Sequence, residues 1–130
     1  MRFPLLAAAL AAALPLTAQA QEAGNPENGQ RLFNQCRACH TANQGGRNGV
    51  GPNLYGVVGR PAGAIEGFRY SANLRERAAA GLVWNEENLL AYLRDPKAVL
   101  PQGNMSFQGF RDNVQNARDV IAYLRRNAGG

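Results

Sequence analysis

Cys36 and Cys39 stand three residues apart, and His40 follows at once. This C-x-x-C-H spacing is the pattern of covalent haem attachment. On a helical turn, residues three apart project from one face. Both sulfurs can then form thioethers with the vinyl groups on one porphyrin edge, and His40 follows where its imidazole can reach the iron. Other readings of two close cysteines fit less well. A thioredoxin-like pair expects a βαβ context, whereas the pattern from Pro26 to Gln35 is helical. A closed zinc site wants four ligands, and an iron–sulfur cluster normally wants four cysteines; the chain has two Cys and one His. A structural disulfide remains open in an exported protein.

Export is expected from the N-terminus. Arg2 gives a short positive start, Leu5 to Leu16 is apolar, and Ala18-Gln19-Ala20 is an A-x-A cleavage signal. Residues 1–20 therefore read as a cleavable secretory signal peptide. The apolar run is shorter than the ~20 residues of a membrane span, and an uncleaved anchor is the competing reading. Cleavage after Ala20 takes 20 residues from 130 and leaves 110, residues 21–130, enough for a single small domain.

Loss of the leader sharpens the question of iron ligands. The methionines are Met1 and Met105, the only histidine is His40 and the only lysine is Lys97. If the iron takes a strong second protein ligand opposite His40, Met105 is the candidate. Without Arg2 the chain carries 13 Lys and Arg against 9 Asp and Glu. A basic excess of this size favours acidic docking surfaces. Nucleic acid is disfavoured, because the arginines are scattered and no run of five like charges occurs.

The pattern is mostly α, with no strand signal. Asn25-Pro26-Glu27 reads as an N-cap, a first helical position and a first-turn acid, opening a helix that runs toward Cys36. Gly29, Leu32, Phe33 and Cys36 share one face of it. From Thr41 to Ala64, seven glycines with Pro52 and Pro61 mark a long loop. Interleaved Leu54, Tyr55, Val57 and Val58 argue that it is ordered against something apolar. Ser71 caps a helix from Ala72 to about Ala79, stopped by Gly81. Asn85-Glu86-Glu87 opens another that ends before Pro96, and Pro96 starts a short turn. Pro101 to Gly109 is a loop carrying Met105. Val114, Ala117, Val120, Ile121 and Leu124 form the stripe of a last helix.

In order, Cys36-Arg37-Ala38-Cys39-His40, Gly51-Pro52-Asn53-Leu54-Tyr55-Gly56, Gly59-Arg60, Phe68-x-Tyr70-Ser71, Trp84, Tyr92-Leu93-Arg94-Asp95-Pro96-Lys97, Met105-Ser106-Phe107 and Ile121-Ala122-Tyr123-Leu124 resemble class I cytochrome c. The likeness is to the mitochondrial cytochrome c and bacterial cytochrome c2 branch and spans the mature chain. It implies an all-α, compact cytochrome c fold of four to five helices around one covalent haem c, with its iron and a long Gly/Pro-rich loop. Cys36 and Cys39 match the thioether cysteines, and His40 and Met105 the axial ligands. Pro52 matches the proline whose carbonyl holds the ligand histidine. Arg60, Tyr70, Asn73 and Trp84 match groups around the propionates and an internal water, and Tyr92 the tyrosine near the methionine sulfur. Gly29, Phe33, Val120 and Tyr123 match the crossing of the terminal helices.

Two departures stand out. Gly103 replaces a threonine that bonds a propionate, which implies a looser ligand loop. Lys97 alone remains of a lysine ring, so docking must lean on arginine. The resemblance implies a soluble, monomeric periplasmic electron carrier rather than an enzyme. It would pass electrons from a bc1-type quinol-oxidising complex or a dehydrogenase to a terminal oxidase or reaction centre. The competing functions are a peroxidase-like haem enzyme with an open sixth position and a dedicated electron-accepting subunit of a periplasmic dehydrogenase.

Overall fold

The computed structural model describes residues 1–4, 8–12 and 23–129. The expected cleavage signal Ala18–Ala20 lies outside the described residues. Helix α1, Pro26–Leu32, begins as its sequence dictates: the Asn25 side chain accepts from the Glu27 and Asn28 N–H groups. The helix tightens into a 3₁₀ turn, Phe33–Gln35, rather than running on to Cys36. Cys36–Cys39 then forms a separate turn, with the Cys39 and His40 N–H groups both donating to the Cys36 carbonyl.

After the long loop come α2 (Ala72–Ala79), α3 (Glu86–Arg94), α4 (Pro96–Val99) and α5 (Val114–Asn127). Ser71, Asn85 and Asn113 cap α2, α3 and α5 through their side chains. At the end of α2, Gly81 adopts φ +98°, and its N–H and that of Leu82 return to the carbonyls of Ala78 and Arg77. That pair of bonds closes the helix as a glycine stop should. The expected turn after Pro96 is the one-turn helix α4.

The mostly helical reading holds, with one small addition. The sequence showed no strand pattern, yet β1 (Arg60–Pro61) and β2 (Val83–Trp84) pair antiparallel, Arg60 opposite Trp84. Two residues are too few for an alternation to register. The pairing comes from bringing distant segments together, and Pro61 is tolerated because the ladder is all edge.

Helices α1 and α5 cross in close contact, with α3 packed on α5. Phe33 and Tyr123 meet across the crossing at 5.3 Å between ring centroids. Phe33, Val120, Ile121 and Leu124 join Leu89, Leu100 and Trp84 in one core. Asp119, 3 % exposed, lies at the same crossing. Its carboxylate accepts from the Asn25 N–H at 2.7 Å, the Asn28 amide at 2.7 Å and the Gln115 amide at 2.9 Å. A buried carboxylate is tolerated when its lone pairs are satisfied in this way. Among the described residues, no helix is long and apolar enough to cross a membrane.

Candidate functional site

The core is hollow at one end. A cavity of about 400 Å³ is walled by the Cys36–His40 turn, the long loop, α3, α5 and the loop after α4. Val57, Leu74, Leu89, Leu100, Val120 and Leu124 supply much of its apolar lining. Val50, 80 % exposed, stands at its mouth.

Cys36 and Cys39 are free thiols on this wall. Burial, with Cys39 nearby, pushes the Cys36 thiol up to about 11. His40 lies next to them. Its Nδ1 is 2.7 Å from the Pro52 carbonyl oxygen. A carbonyl can only accept, so Nδ1 carries the proton and Nε2 keeps its lone pair. Burial lowers the His40 pKa, the bond to Pro52 opposes this, and Arg60 adds to the lowering. A neutral imidazole with a lone pair on the ring nitrogen remote from its anchor is a metal donor.

Gly51 is a site residue to which the sequence assigned no role. A Cβ there would lie 2.2 Å from His40 Cε1, so any side chain would displace the ring. Nothing in the sequence signals this until the imidazole is placed.

Met105 lines the same cavity, and the Tyr92 hydroxyl donates to its sulfur at 3.7 Å. Burial raises the Tyr92 phenol to about 12, so it stays protonated as a donor. Trp84 also lines the cavity and stacks on Tyr92 at 4.8 Å. Tyr70 lines it too, its hydroxyl accepting from the Ile65 N–H at 3.0 Å.

Arg60 carries the most specific signal. Its terminal nitrogens donate to the Tyr55 and Asn53 carbonyls at 3.1 and 3.2 Å. Its Nε is buried and has no partner among the described residues. An orphaned guanidinium donor on a cavity wall calls for an acceptor inside the cavity.

Asn73 departs from its expected place. It does not line the cavity; its side-chain oxygen accepts from the Gln102 N–H at 2.9 Å. The cavity position belongs to Leu74, one residue on. A single step turns a side chain about 100° around a helix, which moves an expected site residue off the site.

A cytochrome c family model matches residues 26–128. This chain belongs to the cytochrome c family. It is 44% identical to cytochrome c-550 of Ancylobacter novellus over 106 residues, 81% of this chain and 98% of that protein. It is 42% identical to cytochrome c2 of Rhodomicrobium vannielii over 94% of each chain. It is 40% identical to cytochrome c2 of Cereibacter sphaeroides over 98% of each. The expected all-α cytochrome c fold, the covalent haem c with its iron, and single-haem electron transport hold for this family. The cavity fits that group: it has two thiols on one wall, a nitrogen and a sulfur donor, an apolar lining and an unsatisfied cationic donor.

Proposed function

We propose that this protein is an exported, single-haem electron carrier of the cytochrome c2 type, working in the periplasm after cleavage behind Ala20. The observation that carries the reading is the pairing of His40 with Pro52. A carbonyl at 2.7 Å fixes the tautomer and aims the free nitrogen away from the anchor.

Cys36 and Cys39 would hold haem c through thioethers. His40 Nε2 and the Met105 sulfur would be the donors to its iron, with the Tyr92 hydroxyl orienting the sulfur. Arg60 turns its free Nε toward an acceptor such as a propionate. The apolar wall excludes water. Haem c, when bound, supplies the one-electron Fe(II)/Fe(III) couple, and methionine–histidine ligation places it at high potential. With His40 and Met105 both available as donors on the cavity wall, no substrate would need to enter, which supports a carrier over a haem enzyme. The basic surface suits acidic partners: a bc1-type complex or dehydrogenase as donor, an oxidase or reaction centre as acceptor. The domain acts as a monomer.

The test is the oxidised holoprotein recovered from the periplasm. Mass spectrometry should find Gln21 at the N-terminus and haem on the Cys36–Cys39 peptide, and the spectrum should show a Met–Fe(III) charge-transfer band. Absence of that band with rapid cyanide binding would favour the peroxidase-like reading.

A further inference from the structure

The loop that carries Met105 is fastened at both ends. Beyond the methionine, the Phe110 and Arg111 N–H groups donate to the Leu93 and Arg94 carbonyls at the end of α3, both at 2.9 Å. Before it, the chain leaves buried Leu100 in a turn closed by the Gly103 N–H on the Leu100 carbonyl at 3.0 Å. Pro101 occupies the second position of that turn, where its fixed φ is suited. The stretch from Asn104 to Ser106 then crosses the cavity wall.

Two contacts from outside the cavity meet this first turn on consecutive residues. The Asn73 side-chain oxygen, projecting from α2, accepts the Gln102 N–H at 2.9 Å. The Lys97 ammonium, from α4, donates to the Gly103 carbonyl at 2.5 Å. One partner is an acceptor and the other a donor, so the turn is gripped in both hydrogen-bonding senses. Neither residue lines the cavity. The contact from α2 spans 29 residues of sequence, so it ties the loop to a segment distant in the chain.

Position 103 has no side chain with which to hold itself. A Cβ there would lie 3.0 Å from Leu100 Cβ and 3.3 Å from its carbonyl oxygen, so a larger residue would press on a buried leucine. Restraint on this turn must come through its backbone, and Asn73 and Lys97 provide it.

We propose that Asn73 and Lys97 are positioning residues that latch the 101–103 turn and so set how readily the Met105 sulfur leaves its place. The latch rests on the reading of Met105 as an axial donor. Loss of either contact frees the turn two or three residues before Met105. The sulfur then departs more often, and an external ligand enters faster. A hydrogen bond of ordinary net strength changes such an opening equilibrium by about three- to tenfold. The two contacts grip adjacent residues, so their losses are not expected to multiply independently.

The experiment uses oxidised holoprotein and imidazole as the entering ligand. Asn73→Ala and Lys97→Ala should each speed imidazole binding about three- to tenfold. Asn73→Asp keeps the acceptor and Lys97→Arg keeps a donor, and both should stay near the parent rate. Amide exchange at Gln102 should accelerate in Asn73→Ala and remain slow in Asn73→Asp, a readout independent of the iron. The thermal midpoint of unfolding should fall modestly in the alanine variants, as loss of one hydrogen bond requires, and stay near the parent in the conservative ones. Parent-like entry rates in both alanine variants would overturn the latch, as would equal acceleration in Asn73→Ala and Asn73→Asp. Met105→Ala is the control on the underlying reading. If it binds imidazole no faster than the parent, Met105 is not the displaced ligand, and the latch falls with that reading.

Discussion

Gly29 of α1 and Asp119 of α5 are in backbone contact. A Cβ at Gly29 would stand 1.9 Å from the Asp119 carbonyl oxygen and 2.9 Å from Tyr123 Cβ. Both neighbours are parts of a helix, so neither can yield without moving α5. The crossing closes the end of the core from which the Cys36–His40 turn emerges.

Gly29→Ala therefore sets two effects of opposite sign against each other. Alanine favours the helix by about 1 kcal/mol. Overpacking against backbone costs about 1–3 kcal/mol or more. The clash should win, and denaturant unfolding of the holoprotein should show net destabilisation. A variant as stable as the parent would mean that the helices separate freely.

Asp119→Ala removes the acceptor that serves the Asn25 N–H and the Asn28 and Gln115 amides. The expected loss is about 1–3 kcal/mol, the cost of leaving a partly buried donor unpaired. Asp119→Asn keeps one side-chain oxygen and should lose less. Denaturant midpoints compared at constant slope would check both.

Met105→Ala should lower the reduction potential, within the roughly 0.8 V over which axial ligands set haem potentials. It should also open the iron to cyanide and carbon monoxide. An optical spectrum unchanged from the parent would remove Met105 from the ligand set.

Electron transfer to an acidic partner should slow as ionic strength rises, because screening shortens the reach of the steering field to about 8 Å at 0.15 M. The ion pairs Arg111–Asp95 at 3.7 Å and Arg125–Glu86 at 2.6 Å are both substantially exposed. Much of the arginine charge is thus left to act at long range. Second-order rates measured at low protein concentration across a salt series provide the check, and a flat profile would count against steering.

Local chemistry was legible in the chain. Asn25, Ser71 and Asn85 cap the helices expected of them, because a cap is decided within three residues. The Cys36–His40 spacing implied a covalent cofactor, because the motif is complete within one turn. What depends on elements meeting was not legible. Asn73 and Leu74 are adjacent in sequence, and only the orientation of α2 decides that the leucine faces the cavity while the asparagine grips Gln102. Arg60 looks like any surface arginine until the chain folds over its Nε. Its pairing with Trp84 is two residues long and leaves no periodic trace. Asp119 caps a segment 94 residues away. The sequence by itself determined the helices, their caps and the cofactor-bearing turn, since these rest on interactions between near neighbours. The tertiary structure decided which side chains surround the cavity and which restrain its loop, since those contacts exist only once distant segments are packed together.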